Sequence, residues 1–204
     1  MRSAGQLLVI SAPSGSGKTT LTQAVMGRVS GVTRTVTYTT RPPRQGEAHG
    51  RDYHFISPTE FEQRRTRGEF LEWAWVHGAL YGTSRQDIAA LRRQGHDVFL
   101  VIDVQGAASI RQQGVAATYV FILPPSLEEL ERRLYQRHAE DAATLRRRMS
   151  AARQEIAHYC RYDYVIVNDD LESATTQLQA IILAERCRVG RLKGDLPILT
   201  QVGG

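Results

Sequence analysis

Long apolar runs are missing from this 204-residue chain. None approaches the roughly 18 residues that a membrane-spanning helix requires. Residues 1–6 lead into the first apolar segment without the layout of a secretion signal, so a soluble, cytoplasmic protein is expected. Cysteine is scarce as well. Cys160 and Cys187 stand far apart with no CxxC spacing and no histidine partner pattern, which argues against a disulfide scaffold or a zinc site and for two free thiols. The six histidines, among them His49, His54 and His77, follow no metal-ligand spacing. Internal repeats and low-complexity tracts are absent. Aromatic residues make up only 7%, and few are interleaved with the arginine clusters Arg132/Arg133/Arg137 and Arg146/Arg147/Arg148. A stacking platform for nucleic-acid bases needs that interleaving. The net charge of +5 and pI near 9.5 therefore point to small phosphorylated ligands rather than to nucleic acid. With 42% hydrophobic and 23% charged residues, the chain is ordinary globular material, long enough for one sizeable core.

What is present begins at Leu7. The run Leu-Leu-Val-Ile-Ser-Ala-Pro-Ser-Gly-Ser-Gly-Lys-Thr-Thr-Leu sets an apolar segment against a Gly/Ser-rich loop, then a lysine and two hydroxyls opening a helix. Successive backbone N–H groups of such a loop point into one concavity, and the helix adds its unsatisfied amides and positive dipole end. The cradle comprises Ala12, Pro13, Ser14, Gly15, Ser16, Gly17, Lys18, Thr19 and Thr20. Lys18 supplies a point charge for β- and γ-phosphates, and Thr19 a hydroxyl for Mg²⁺. Ala12 occupies a position where the general pattern has glycine.

Short apolar runs at Leu7–Ile10, Val98–Ile102, Thr118–Leu123 and Tyr164–Val167 read as parallel strands buried on both faces. Helical patterns separate them, the first at about 18–29. Ser126-Leu-Glu-Glu129, after Pro124-Pro125, is a capping box opening a helix to about 136. Ser57-Pro-Thr-Glu60 repeats the device with proline at the first helical position. Between 35 and 84, turn-forming glycines and prolines and most of the aromatics concentrate, predicting an inserted, partly β lobe. A polar interruption at 137–143 separates two helices and predicts a mobile lid. The expectation is an α/β fold of the P-loop NTPase type, with a parallel sheet flanked by helices. Residues 1–34, 85–136 and 160–189 form its core, 35–84 an acceptor lobe, 137–159 a lid region and 190–204 a loosely ordered tail.

The segment Thr37-Tyr-Thr-Thr-Arg41-Pro-Pro-Arg44-x-Gly46-Glu-x-x-Gly50-x-Asp52-Tyr53-x-Phe55 resembles guanylate kinase, which phosphorylates GMP at the expense of ATP. Glu72-Trp-Ala, Tyr81-Gly-Thr83, Ile102-Asp103-Val-Gln-Gly106, Pro124-Pro-Ser126, Arg133-x-x-x-Arg137, Arg148 and Ile166-Val-Asn-Asp-Asp170 follow in the family's order, so the resemblance runs from about 7 to 185. It implies that Glu72 and Thr37 contact the base, that Arg41, Arg44, Tyr53 and Tyr81 hold the phosphate, and that Thr83 serves either. The residue chemistry agrees. Two arginines three apart on a proline-stiffened loop offer planar forks to phosphate oxygens, while a carboxylate with a hydroxyl reads the donors and acceptor of guanine. Thr37 stands where the family has serine, and Gln136 and His138 stand where it has glycines around the lid arginine.

Asp103, at the carboxyl end of a strand, is placed to hold Mg²⁺ through water or to orient an arginine or the nucleotide. Asn168 borders the adenine pocket, and Asp169 or Asp170 caps the next helix. The resemblance implies Lys18, Arg44, Arg137 and Arg148 as the catalytic cations, Mg²⁺ and ATP as cofactors and GMP as acceptor; a homo-oligomer is compatible with it. A ribosyl bisphosphate phosphokinase of the same fold has no use for a guanine-reading Glu72. A non-catalytic scaffold has no need of Lys18-Thr19, and a GTP-hydrolysing switch would carry an NKxD motif that this chain lacks.

Overall fold

Five short apolar segments lie side by side and parallel in the computed structural model, which describes residues 4–76, 78–138 and 142–192. At the centre is β1 (Leu7–Ser11), between β7 (Asp97–Val101) and β8 (Thr118–Leu123), with β2 (Val32–Arg34) and β9 (Tyr164–Val167) outermost. Every residue of β1 is buried, as a parallel strand covered on both faces requires. Its period-two alternation sends Leu8 and Ile10 to one face, against Leu21 and Val25 of α1 (Lys18–Arg28) and Leu178 and Ile182 of α7 (Leu171–Arg186). Leu7 and Val9 face the other way, toward Ile88 of α3 (Arg85–Arg93) and Ala107 and Ile110 of α4 (Val104–Gln112).

A second sheet of four strands has the order β4-β3-β6-β5: β3 (Tyr38–Thr39), β4 (His54–Phe55), β5 (Phe70–Val76) and β6 (Ala79–Ser84). Beside it, α2 (Pro58–Thr66) starts where the capping signal predicts, Ser57 Oγ accepting from the Glu60 amide at 3.1 Å. Its Phe61 is fully buried and stacks on Phe70, with ring centroids 4.5 Å apart. The β5/β6 pairing shifts register between Phe70 and Glu72. This irregularity lets three successive residues turn inward: Leu71 joins the core beneath Leu7 and Val9, and Glu72 sits opposite Thr83.

The helices α5 (Leu127–His138) and α6 (Ala142–Ile156) close on Leu130, Leu134, Met149 and Ala152. Ser126 caps the first of them, its hydroxyl accepting from the Glu129 amide at 3.1 Å. The chain is described as far as α8 (Val189–Leu192). His77, residues 139–141 of the polar interruption and the tail from 193 onward lie outside the described residues.

Sequence and structure differ at element ends. α1 stops at Arg28 because Val29 is extended, at φ −109° and ψ 109°. β7 begins one residue early, at Asp97, a polar residue that an apolar pattern passes over. This aspartate is 4% exposed and accepts from the Gln6 amide at 2.9 Å and from Arg186 Nε at 2.7 Å. It thereby ties the start of β7 to the segment before β1 and to the end of α7. Replacing it leaves Arg186 and the Gln6 amide without their acceptor, so Asp97→Ala is expected to destabilise the fold by about 2 kcal/mol or more. A lowered urea midpoint with an unchanged slope is the expected signature, and an unaltered midpoint would contradict it.

Candidate active site

β1 delivers the chain to the loop 12–17 at the carboxyl edge of the sheet. Gly15 and Gly17 take φ of 90° and 80°, in the left-handed region that other residues occupy only at a cost. At Gly17 there is a second constraint: a Cβ would fall 2.4 Å from Asn168 Nδ2, which donates to the Ser16 carbonyl at 2.8 Å. Asn168, itself buried, thus braces the loop from the end of β9. The methyl of Ala12 is 5% exposed and packs with Leu8 and Ile10 in the core, which explains why glycine is dispensable there. Pro13 is buried and Ser14 exposed, and the Ser16 amide donates to the Pro13 carbonyl at 3.2 Å. The Ser16 hydroxyl is buried without a hydrogen-bond partner. Lys18 opens α1 with its ammonium 3.5 Å from the Ile102 carbonyl. Desolvation draws its pKa down, and the carboxylates of Glu155 and Asp103 work in the opposite direction. Thr19 and Thr20 are exposed on the first turn.

A cleft of about 420 Å³ joins this loop to the second sheet. Ser14, Lys18 and Asp103 line it on the core side, and Thr37, Tyr53, Glu72 and Tyr81 on the lobe side. Glu72 is 6% exposed and accepts from Thr83 Oγ1 at 2.5 Å. Burial pushes its carboxyl up to about 7, the nearby Asp103 charge adds to the rise, and the Thr83 bond opposes it. Helix α4 comes so close that a Cβ on Gly106 would stand 3.1 Å from Glu72 Oε2. Asp103 caps that helix, accepting from the Gly106 amide at 2.8 Å, while also lining the cleft.

Arg41 donates to Tyr81 Oη at 3.1 Å and lies 5.0 Å from the centre of the Tyr53 ring. Its guanidinium fork is closed on Glu47 by two bonds of 2.6 and 2.7 Å. Glu47 also accepts from the Arg44 amide at 2.8 Å, and its carboxyl is held down at about 2, chiefly by Arg41 and then by that amide. Arg44 is exposed. Arg133 is engaged with Glu129 at 2.7 Å and donates to the Asn168 carbonyl at 3.2 Å. Arg148 is partly buried on α6, and Arg137 falls in the last turn of α5.

Two carboxylates in this arrangement were not foreseen from the sequence. Glu47 carries a local signal, being three residues beyond Arg44 inside the motif. Glu155 carries none, since only the packing of α6 brings it into the field of Lys18 and Asp103.

A sequence model described as guanylate kinase matches residues 4–185. The chain belongs to the guanylate kinase family. It is 48% identical over 197 residues to the guanylate kinase of Alkalilimnicola ehrlichii, covering 97% of this chain and 96% of the relative. It is 45% identical over 195 residues to that of Syntrophotalea carbinolica, covering 96% and 93%. The crystal structure of guanylate kinase from Anaplasma phagocytophilum superposes with a TM-score of 0.73 at 34% identity, covering 94% of this chain and 91% of that one. The family's reaction is ATP-dependent phosphorylation of GMP to GDP, and this guanylate kinase is an ATP:GMP phosphotransferase with a P-loop NTPase fold.

The raised Glu72 carboxyl has a measurable sign. The folded chain keeps this proton at a pH where the unfolded chain has released it, so stability falls as pH rises from about 4.5 to about 7 and is level above. Without nucleotide, the stability of the parent protein relative to Glu72→Gln is expected to drop by about 3 kcal/mol between roughly pH 5 and pH 8 in urea titrations. A difference that does not change with pH would show that burial of this carboxyl is not what raises it.

Proposed function

We propose that the cleft between the phosphate loop and the lobe holds both nucleotides and that transfer occurs across it, with the lobe 35–84 binding GMP and the loop 12–20 binding ATP. One observation carries this reading: a single cavity has Lys18 and Ser14 on one wall and Glu72, Tyr53 and Tyr81 on the other. ATP brings about four negative charges and GMP about two, so their approach is unfavourable until cations neutralise it. The acceptor is already an oxyanion and needs no base. Catalysis is then positioning and charge stabilisation around a loose transition state.

In this reading the amides of 15–18 and the Ser16 hydroxyl hold donor phosphates, with Lys18 at the β/γ position and Thr20 beside the loop. Asn168 acts on ATP by keeping the loop amides oriented. Arg41, Arg44, Tyr53 and Tyr81 grip the GMP phosphate, which displaces the Glu47 carboxylate from Arg41. Glu72 accepts from the guanine N1–H and amino group, with Thr37 and Thr83 supplying hydroxyls. Arg137 and Arg148, on a lid comprising 137–159, complete the neutralisation when it closes.

Mg²⁺ fits this site as a phosphate-borne ion. Among the described residues no group of three or more His, Cys, Asp or Glu could hold a metal alone. Mg²⁺ commonly takes most of its ligands from phosphates and water. Thr19, exposed at the start of α1, would hold it together with Asp103 through water. Held there, the ion would supply neutralisation of the charge that develops during transfer. We also place the enzyme in the cytoplasm, on the strength of its two unpaired, exposed thiols. No described helix is long and apolar enough to cross a membrane.

Lys18→Ala is expected to lower turnover at least about a hundredfold in a coupled ADP-release assay, since a preorganised charge at the transferring group is lost; near-normal turnover would remove Lys18 from this role. For Glu72→Gln, the kcat/KM ratio of GMP to AMP is expected to fall by about two orders of magnitude or more, because the parent site leaves a buried carboxylate unpaired with the wrong base. An unchanged ratio would mean that guanine is read elsewhere.

A further inference from the structure

On the far side of α4 from Glu72 lies a second cavity, of about 190 Å³. One stripe of the helix faces it, running from Val104 through Ala107 and Ala108 to Arg111, the i, i+3, i+4, i+7 spacing of a single helical face. The opposite stripe carries Gly106, which confines Glu72. Helix α4 therefore stands between this cavity and the nucleotide cleft.

The lining defines what would enter. Tyr119 and Tyr162 contribute two rings set edge to face, with centroids 6.3 Å apart, and α4 adds small aliphatic side chains. A cavity of about 150 Å³ accommodates benzene, whereas drug-sized ligands need about 300 Å³ or more, so the space suits a single ring. The mouth is cationic. Arg111, His158 and Arg161 border it; of the acids nearby, Asp163 stays 42% exposed while meeting Arg111 at 3.4 Å, and Asp103 and Glu155 act on Tyr162 from the inner side. Arg111 also lies 3.9 Å above the Tyr119 ring, which holds its charge at the entrance.

Both tyrosines keep their hydroxyls sealed from solvent, so it is their rings that line the cavity. Tyr119 is 4% exposed, and its hydroxyl has no hydrogen-bond partner; the Tyr162 hydroxyl is likewise buried and unpaired. Ser11 is close to Tyr162 but donates instead to the Asp103 carbonyl at 3.4 Å. Burial pushes the Tyr162 phenol up to about 12, so it remains a neutral donor. Buried donors of this kind ordinarily find acceptors.

We infer that this cavity is a second binding site, separate from the nucleotide cleft, for a single-ring aromatic carboxylate. Its ring lies between the α4 stripe and the tyrosines, and its anionic group meets Arg111 and Arg161.

The probe is 4-fluorobenzoate, followed by ¹⁹F NMR titration of the full chain, with fluorobenzene and acetate as the ring and the charge alone. Saturable binding is expected, at least about tenfold tighter than for either fragment, and undiminished by saturating GMP or ATP. Ala108→Leu, which fills the cavity, is expected to weaken it about tenfold or more, with GMP phosphorylation retained as proof of folding. Should that variant fail to fold, Arg161→Ala decides from the exposed rim, with a similar loss expected. Absence of saturation, displacement by either nucleotide, or unchanged affinity in the folded variants would overturn the assignment. Activity of the parent enzyme on GMP is read separately, so the nucleotide-site reading and this one fail independently.

Discussion

All five strands of the main sheet run in one direction, and the rest of the molecule is arranged around that constraint. Crossover helices return the chain to the same starting edge each time, so the carboxyl ends of β1, β7, β8 and β9 meet along the opposite edge. The phosphate loop, Asp103, the Pro124–Ser126 turn and Asn168 are therefore neighbours in space although more than 150 residues of chain separate the first from the last. Burial of β1 on both faces fixes the edge firmly enough for a bond such as Asn168 to Ser16 to set the path of the loop.

Electrostatics in the cleft follow from holding part-buried charges close together. A guanidinium or ammonium left alone in a part-buried site is costly, and here each has a protein carboxylate nearby. Arg41 is closed on Glu47, and Lys18 lies in the field of Glu155 and Asp103. Glu72 faces the reverse difficulty. As a buried acid with a threonine hydroxyl for its partner, it is driven toward the neutral form. In the function proposed above, each group is thus poised for exchange: an incoming anion would compete with carboxylates for the cations, and a donor-bearing base would stabilise the charged form of Glu72.

The lobe obtains its precision from an irregularity. Were β5 and β6 paired evenly, Leu71 and Glu72 would point to opposite faces. The register shift turns both inward, one into the core and one toward the cleft, and the stacked pair Phe61 and Phe70 packs beside it. Docking of the lobe on the core and presentation of Glu72 to the cleft are consequences of one bulge.

Much of this was legible in the residue order, because it depends on local periodicity and local hydrogen bonding. The four apolar strands, the capped starts of α2 and α5 and the glycine-dependent turn into α1 are short-range matters. That Lys18, Asp103, Glu72, Tyr53 and Tyr81 belong to one site was legible too, and the structure brings them to a single cleft. β2 was not, being three residues of a pattern too short to detect, nor was Asp97, whose place in a strand depends on Arg186 and Gln6. The sequence by itself determined the phosphate cradle, the class of fold and the family. Only the tertiary structure decided that Arg41 is held by Glu47, that Asn168 braces the loop, that Glu155 faces Lys18 and that a cavity lies behind α4. These are encounters between segments distant in the chain or folded back across a turn, and no periodicity encodes them; packing of the two sheets and the helices α4 and α6 brings them within reach.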